Sequence, residues 1–439
     1  MSEPGLDPVP VEQGWSDPLA ASPAASGPAV ADAVAGEAPA LSPARAALLE
    51  LVDPVETTAW LRDLVRAESQ NPPGREAAAA QLVAGILTGL GLTVELVEVA
   101  PGRPNVIARL PGRSEEELLL NGHLDTVTVG AAQAWRHDPL GGEVVDDLMY
   151  GRGACDMKGG LVAQLAGLAA LVRSGVERRR SILFTAVIDE EVDFLGTKAL
   201  IADGRLERCR WAYVAEPTEL TLATALQGAV EATAETWGRA AHTGLAERGR
   251  NAIFDMGQVV AALDAYRRGL SGRGAELGWP VDPSCNLGRI EGGAGVTIVP
   301  DHCRIAFDRQ ILPGESVAQV TAEVGAVIER ARQRHGLDLV WRVEQAFNPW
   351  RIDPAAPAVL ALARCHALAT GRPARTSLFR AYAEIELLAQ AGLPGLIYGP
   401  GSILQAHRPD EFVPLDQVMA AARTYALLAH DFVTGPNAD

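Results

Sequence analysis

LLLNGHLDT (residues 118–126) and GRGACDMKGG (residues 151–160) decide the fold of this 439-residue chain. The leucine run predicts a buried strand, and the polar residues after it predict a loop at the end of that strand. His123 and Asp125 are two positions apart, so in extended chain both side chains point to the same side. A metal-ligating imidazole needs an orienting group on its other nitrogen, and Asp125 can supply one. By itself, the His-x-Asp pattern is more typical of an ordinary surface loop.

The composition is that of a globular enzyme and argues against two classes of partner. Hydrophobic residues make up 48% of the chain, and the formal net charge is −17. This charge opposes binding to nucleic acid and to anionic membranes. No apolar run reaches transmembrane length, and the start lacks the basic and apolar segments of a signal peptide. The five scattered cysteines include no C-x-x-C pair, which indicates reduced thiols and a cytoplasmic location.

The chain divides into a tail and two domains. Residues 1–41 are rich in Ala, Pro, Gly and Ser and contain no Lys or Arg, which is typical of a disordered acidic tail. Order is expected to begin at Ser42, a helix cap that is followed by proline. Residues 42–223 and 346–439 are predicted to form one discontinuous domain, with residues 224–345 inserted into it as a second domain.

Four short, continuous apolar segments predict strands that are covered by helices on both faces. These segments are residues 117–121, 181–188, 211–215 and 395–398. Residues 159–171 have helical spacing between the first two of them. Alternating strands and helices of this kind predict an α/β sheet.

Each of the four segments is followed by side chains that can bind a metal ion. They are His123 and Asp125 after the first, Asp189, Glu190 and Glu191 after the second, Glu216 after the third, and His407 after the fourth. Active sites of α/β sheets gather outside the carboxyl ends of the strands, so these side chains are expected to converge. Two histidines and several carboxylates form a ligand set that suits zinc, cobalt or manganese.

Together these motifs resemble the zinc-dependent family of acetylornithine deacetylase, succinyl-diaminopimelate desuccinylase and carboxypeptidase G. The matching segments are residues 122–127, 150–160, 189–191, 216–218, 406–407 and 410–411, in the order and spacing of that family. The resemblance covers roughly residues 45–435. It implies a metallopeptidase-like α/β catalytic domain with an inserted lid and dimerisation domain.

The resemblance also implies a dinuclear centre, with two divalent metal ions that are zinc or else cobalt or manganese. The implied roles are His123 and Glu216 on one metal, Glu191 and His407 on the other, Asp156 as the bridge, Asp125 as the orienter of His123, and Glu190 as the general base. A cis peptide bond between Asp156 and Met157 is implied as well.

The inserted segment reads strand, helix, strand, strand, helix, strand, which is the order of a ferredoxin-like unit. It resembles the lid and dimerisation domain of the family, in which RAAHTG (residues 239–244) matches a motif that carries a catalytic histidine. His242 alone would be interpreted as an ordinary turn residue. The resemblance implies that it acts in the active site of the other subunit of a homodimer.

Three positions depart from the family pattern. Thr297 stands where the lid usually has Asn, and Gln310 stands where the following strand usually has Arg. The stretch Ala381-Tyr382-Ala383-Glu384 replaces a Gly-Gly-Thr-Asp segment. These family positions shape the pocket or bind a substrate carboxylate, so the chemistry is predicted more firmly than the acid that is recognised.

The prediction is a metal-dependent hydrolase that removes an N-acyl group from an amino acid or a related small amine. One alternative is a dipeptidase or carboxypeptidase of the same family, because the same metal chemistry serves both. Another is a metal-bound binding protein without turnover, against which the retained Glu190 argues. The expected partners are a small-molecule substrate and a second copy of the chain, with no nucleic acid and no membrane.

Overall fold

The computed structural model describes residues 26–29 and 41–435. The predicted disordered tail, residues 1–41, therefore lies almost entirely outside the described residues. Ser26–Ala29 is a difference from that prediction, because it forms strand β1 and pairs antiparallel with the strand Arg375–Phe379. The unpaired backbone groups of an edge strand offer such a segment a ready template.

The described helices and strands follow in chain order. The α-helices are α1 Pro43–Glu50, α2 Pro54–Arg66, α3 Ala77–Gly89, α4 Gly159–Arg173, α5 Leu195–Ala202, α6 Ala252–Arg268, α7 Arg273–Glu276, α8 Val317–His335, α9 Pro357–Thr370, α10 Ile385–Gln390 and α11 Leu415–Thr434. After β1, the strands are β2 Thr93–Ala100, β3 Arg103–Leu110, β4 Glu117–His123, β5 Glu143–Val145, β6 Leu148–Tyr150, β7 Ser181–Val187, β8 Cys209–Val214, β9 Leu222–Leu226, β10 Gly228–Trp237, β11 Cys285–Gly292, β12 His302–Ile311, β13 Asp338–Phe347, β14 Trp350–Arg351, β15 Arg375–Phe379, β16 Gly395–Ile397 and β17 Phe412–Pro414.

The larger domain is organised around a ten-stranded mixed sheet. Its centre is the parallel set β16-β8-β4-β7, and β3 and β2 extend it antiparallel on one side. Every residue of β4 and β7 is buried, as expected for strands with helices on both faces. The four predicted strands are therefore present and adjacent, and their carboxyl ends share one edge of the sheet.

Helix α4 forms the centre of the core below this edge. The segment Ala154–Arg173 is apolar and long enough to cross a membrane, but 94% of its most apolar window is buried inside the protein. Helix α11 packs along it, with Gly167 of α4 so close to the backbone of Ala426 that a side chain would not fit. We therefore interpret α4 as the core helix of a globular domain, not as a membrane span.

The inserted domain is a four-stranded antiparallel sheet with strand order β11-β12-β10-β13, covered on one face by α6 and α8. This order is that of a ferredoxin-like unit, and the predicted fold class is confirmed. A separate apolar core, which includes Val230, Met256, Phe307 and Val324, joins the helices to the sheet. We refer to this unit as the lid.

The strands of the lid can be compared with its predicted boundary at residue 345. Strand β12 begins at His302, just after Pro300, which lacks the N–H that a ladder needs. Strand β13 continues to Phe347, where it still pairs with Ala229. The boundary at 345 thus falls inside a strand, and we propose that the return to the larger domain lies after Phe347.

Candidate metal centre

The strand ends bring the predicted ligands together. His123 is the last residue of β4, Glu191 and Glu216 follow β7 and β8, and His407 follows β16. Asp156 lies in the turn before α4, and its peptide bond to Met157 is cis. Two groups of potential metal ligands result, and Asp156 belongs to both.

The first group is almost entirely buried. His123 Nε2 lies 3.2 Å from Asp156 Oδ1 and 3.5 Å from Glu216 Oε1. The side chains of His123 and Glu216 are 0% and 3% exposed. Among the described residues, Glu216 Oε1 has no hydrogen-bond partner, which is costly for a buried charged oxygen unless a cation occupies the space beside it.

The second group uses the other oxygen of the same carboxylate. Asp156 Oδ2 lies 3.5 Å from His407 Nε2, which is 3.0 Å from Glu191 Oε2. His407 is half exposed and has a positive φ of 63°, a backbone conformation that non-glycine residues seldom adopt. The two oxygens of Asp156 thus face different ligand groups, which is the arrangement of a bridging carboxylate.

Electrostatics agree with a cation-binding role. Burial, and then the charge of Asp156, raise the pKa of Glu216 well above its usual value. Burial also raises the pKa of Glu190, to which the charge of Glu216 adds. Packed carboxylates of this kind are stabilised by nearby positive charge. Oxygen and imidazole donors in two groups therefore fit a pair of divalent metal ions.

Glu190 lies beside the first group and lines the same cavity as the second. Its Oε2 atom is 3.8 Å from His123 Nε2, and its side chain is 10% exposed. The neighbouring Glu191 points to His407 and accepts a hydrogen bond from the N–H of Val127 at 3.2 Å. Two adjacent carboxylates are thus aimed differently, as their distinct predicted roles require.

Asp125 is placed differently from its predicted role. His123 Nδ1 contacts the backbone oxygen of Asp125 at 2.9 Å, while the carboxylate oxygen is 3.6 Å away. The carboxylate instead accepts hydrogen bonds from Asn71 Nδ2 and from the N–H groups of Glu190 and Glu191, at 2.9, 3.1 and 3.2 Å. The backbone carbonyl orients the imidazole, and the carboxylate holds the loop that carries the predicted base.

A buried polar network behind this loop could not be found from the sequence. Asn71 also donates to Asp189 at 2.9 Å, and Arg103 donates to Asp189 and to Glu76 at distances of 2.5 to 2.9 Å. The sequence of residues 71–74, Asn-Pro-Pro-Gly, is typical of a turn and gives no sign of these contacts. The partners of Asn71 are 54 and 118 positions away, and no local pattern links them.

Glu411 holds the backbone at Asp156 in a similar way. Its Oε1 atom accepts hydrogen bonds from the N–H groups of Cys155 and Asp156 at 3.0 and 3.1 Å. Arg152 donates to its Oε2 atom at 2.6 Å. Burial raises the pKa of Glu411 to about 7, although Arg152 opposes the shift. Glu411, which belongs to the family match at residues 410–411, thus stabilises the turn that presents Asp156.

Glu384 is an acid that the sequence did not assign to the site. It is 0% exposed, neither of its oxygens has a hydrogen-bond partner among the described residues, and it groups with Glu190 and Glu216. Burial raises its pKa to about 7. The stretch 381–384 departs from the family pattern, and this departure was the feature of the sequence that could have drawn attention to Glu384.

A cavity of about 510 Å3 joins the candidate metal ligands to the lid. The lid residues that line it are Glu231, Gln310, Gln345 and Phe347. His242 is not among the lining residues; it is exposed, and its Nδ1 atom accepts a hydrogen bond from Gly244. Within one subunit, the structure therefore does not bring His242 to the ligands.

The fold and the site define a two-domain α/β hydrolase whose ligands fit two divalent metal ions. The family model of Peptidase family M20/M25/M40 matches residues 119–431, and the chain belongs to this family. The resemblance inferred from the motifs is confirmed, and the protein is a hydrolase of amide bonds.

Relatives and solved structures within this family differ in what they hydrolyse. The chain is 27% identical to N-formyl-4-amino-5-aminomethyl-2-methylpyrimidine deformylase of Bacillus subtilis (strain 168), over 85% of this chain and 92% of that relative. It is 31% identical to acetylornithine deacetylase of Myxococcus xanthus, over 74% and 82%. The structure of human carnosine dipeptidase 1 superposes with a TM-score of 0.73 at 16% identity, covering 90% of this chain and 100% of that one.

Proposed function

We propose that the protein removes the acyl group from an N-acyl amino acid or a related small amine, using two divalent metal ions. Zinc is the proposed metal, with cobalt and manganese as alternatives. One observation carries this proposal: Asp156 directs one oxygen to His123 and the other to His407, and Glu190 lies 3.8 Å from His123 in the cavity that Asp156 and His407 also line.

The proposed roles follow from these positions. When bound, the two metal ions supply an acidified water and polarise the acyl carbonyl. Glu190 takes the proton of the attacking water and returns it to the departing nitrogen. The hydrogen bonds from the N–H groups of Glu190 and Glu191 to Asp125 keep the base in place. The five ligands hold the reacting groups in one orientation.

The proposed assembly is a homodimer in which His242 completes the site of the partner. His242 is exposed and does not line the cavity of its own chain, which supports this arrangement, as does the exposed edge strand β11 of the lid. Phe254, Ile290 and Val296 are 74%, 56% and 96% exposed on the same domain. Such apolar surface is typical of contact with another protein. His242 would then stabilise the oxyanion of the tetrahedral intermediate.

A second candidate is removal of a formyl group from an amine with an aromatic ring, the reaction named for the Bacillus subtilis relative. A stacked aromatic pair in the cavity favours it: the rings of Phe347 and Tyr382 lie 4.2 Å apart at an angle of 20°.

The five cysteines are free thiols, which supports the cytoplasm as the place of either reaction.

The test is a panel of acetylated and formylated amino acids, acylated aromatic amines and dipeptides, each with zinc, cobalt and manganese. Hydrolysis of acylated substrates without dipeptide cleavage is expected. Cleavage of dipeptides alone would make the protein a peptidase. No hydrolysis of any substrate by the fully metal-loaded protein would favour the binding-protein alternative.

A further inference from the structure

The lid end of the cavity presents acceptors of hydrogen bonds where the family pattern has a cation. Asp308 and Gln310 are two apart on β12 and share one face of the lid sheet, with Glu231 of β10 directly opposite Asp308. Gln310 Nε2 donates to both oxygens of Asp308 at 3.0 Å and to the hydroxyl of Tyr382 at 3.3 Å. The amide nitrogen is thus engaged. Within residues 41–435 no hydrogen bond reaches the amide oxygen, which can therefore accept one from a ligand.

The charge on this face is negative. Glu231 lines the cavity, and burial together with the charge of Asp308 raises its pKa above the usual value. Arg309 does not compensate, because it lies on the opposite face of the strand, is fully buried, and donates to Glu315 and Tyr266. A carboxylate placed beside Gln310 would therefore meet like charges.

The neighbouring wall is flat and aromatic. Phe347 and Tyr382 stack on one another, and Phe194 meets Phe347 edge-on at 6.1 Å and 61°. All three side chains line the cavity. A planar ring of the ligand can extend this arrangement, which prefers offset stacking and edge contacts.

One basic residue complicates this pattern. Arg380 also lines the cavity and is exposed. It follows β15 in the larger domain and is the available cation for a substrate carboxylate. The choice between Arg380 and the acidic lid face therefore decides what class of amine is recognised.

We propose that the amine released by the enzyme carries a planar aromatic ring with N–H donors and no α-carboxylate. The ring stacks against Phe347 and Tyr382, and its N–H groups donate to Glu231 and to the amide oxygen of Gln310. This inference rests on the proposed amide hydrolysis and names the specificity of that same cavity.

Matched substrates test the inference with the metal-loaded enzyme. They are the formamides, and in parallel the acetamides, of an amino-substituted pyridylmethylamine, benzylamine, cyclohexylmethylamine and phenylalanine. We expect kcat/KM to fall in that order, with about tenfold between the planar and the saturated ring, the effect of one stacked aromatic pair. A higher kcat/KM for the phenylalanine derivative than for the benzylamine derivative would overturn the inference.

Variants of the wall separate stacking from hydrogen bonding. Tyr382→Leu should raise KM about tenfold for ring-bearing amines and much less for the cyclohexyl substrate, whereas Tyr382→Phe keeps the ring and should recover most of the wild-type KM. Glu231→Gln should reduce the preference for the aminopyridyl ring over benzyl. Glu235→Gln is its control, since Glu235 lies four residues along β10, bonds to His302 and Arg342, and does not line the cavity. Equal effects of the two glutamate variants would contradict the role of Glu231.

Arg380→Gln addresses the competing cation. If Arg380 holds a carboxylate, this variant lowers kcat/KM for the phenylalanine derivative by about tenfold or more while sparing the benzylamine derivative. That result, in an enzyme that prefers the acid, would assign the cavity to carboxylates and overturn the inference.

Binding gives a readout that does not need turnover. The free amines of the same series are titrated calorimetrically into metal-loaded Glu190→Gln protein, where the aminopyridyl amine should bind most tightly and phenylalanine most weakly. Hydrolysis of acyl amino acids alone would refute the inference and leave the proposed function intact. Absence of all hydrolysis, with the predicted order of binding, would refute the function and support the specificity.

Discussion

The residues at the two ends of the cavity are held in different ways. At the metal end, each candidate ligand stands at or after the end of a strand or in a turn, and buried residues hold the surrounding chain: Glu411 holds Asp156, and Asn71 holds Asp125 next to His123. At the lid end, the lining residues come from an open sheet face and one loop, and all three departures from the family pattern fall on the lid or on that loop. The candidate metal ligands are tied to the core, whereas the residues that depart from the family pattern lie on surfaces that can change without disturbing it.

The difference has a physical origin. Replacing a buried residue of the metal end leaves charged or polar partners unpaired, at a cost of about 1–3 kcal/mol for each group or more when it is charged. Gln310 and Tyr382 are only partly buried, so substitution there leaves fewer groups without water. The following predictions test this division.

Removal of metal should have the largest effect. Treatment with a chelator is expected to abolish hydrolysis of every substrate, and zinc, cobalt or manganese should restore it. The measurement is activity against metal content, with an unrelated metal-independent hydrolase as the control for the chelator. Turnover at full rate by metal-free protein would contradict the account.

Loss of His242 is expected to have the second-largest effect on activity. His242→Ala is expected to lower kcat by roughly 100- to 1,000-fold, the effect of one oxyanion-stabilising donor. The variant should keep its metal content and its melting temperature, because His242 is exposed and does not line the cavity of its own chain.

Subunit exchange shows which chain supplies His242. Inactive Glu190→Ala and His242→Ala proteins are refolded together, so that about half of the dimers are mixed. Each mixed dimer then has one site with both residues intact, and activity should recover to about a quarter of wild type. Recovery would fail if His242 acted within its own chain, and a monomer in sedimentation analysis would exclude the shared site.

Asn71→Ala tests the support of the metal end. The change removes the donor to Asp125 and Asp189 and should lower metal affinity by about 10- to 100-fold, as for other groups that orient metal ligands. Asn348→Ala is the matched control, since its amide donates to Glu386 outside the metal centre. Metal titration followed by activity measures the metal affinity of both variants. Equal affinities would show that Asn71 does not support the metal site.

The smallest effect is expected at the lid end. Wild-type enzyme should discriminate weakly between an acyl amino acid and its amide, because glutamine lacks the charge and the fork of arginine. Gln310→Arg should raise kcat/KM for the acid relative to the amide by about tenfold. A wild-type preference for the acid above about a hundredfold, or roughly 2.7 kcal/mol, would show that another residue such as Arg380 binds the carboxylate.

The sequence predicted the parts of the molecule that local patterns determine. The apolar runs predicted the central strands, and ligands after their ends predicted which side chains converge. The roles of Asn71, Arg103 and Glu384 were not predicted, because their partners lie far away along the chain and only the folded sheet brings them together. The carboxylate of Asp125 was expected to orient His123, a detail that depends on a difference of 0.7 Å between its backbone and side-chain contacts.

The neighbours Glu190 and Glu191 give the most direct test of the central claim, that one acts as base and the other as ligand. Glu190→Gln and Glu191→Gln proteins are prepared identically, and their metal content and turnover are measured. Glu190→Gln is expected to keep two metal ions for each chain and lose turnover. Glu191→Gln is expected to lose metal from the site of His407 as well as turnover. Equal metal loss in both variants would contradict the assignment of Glu190 as the general base.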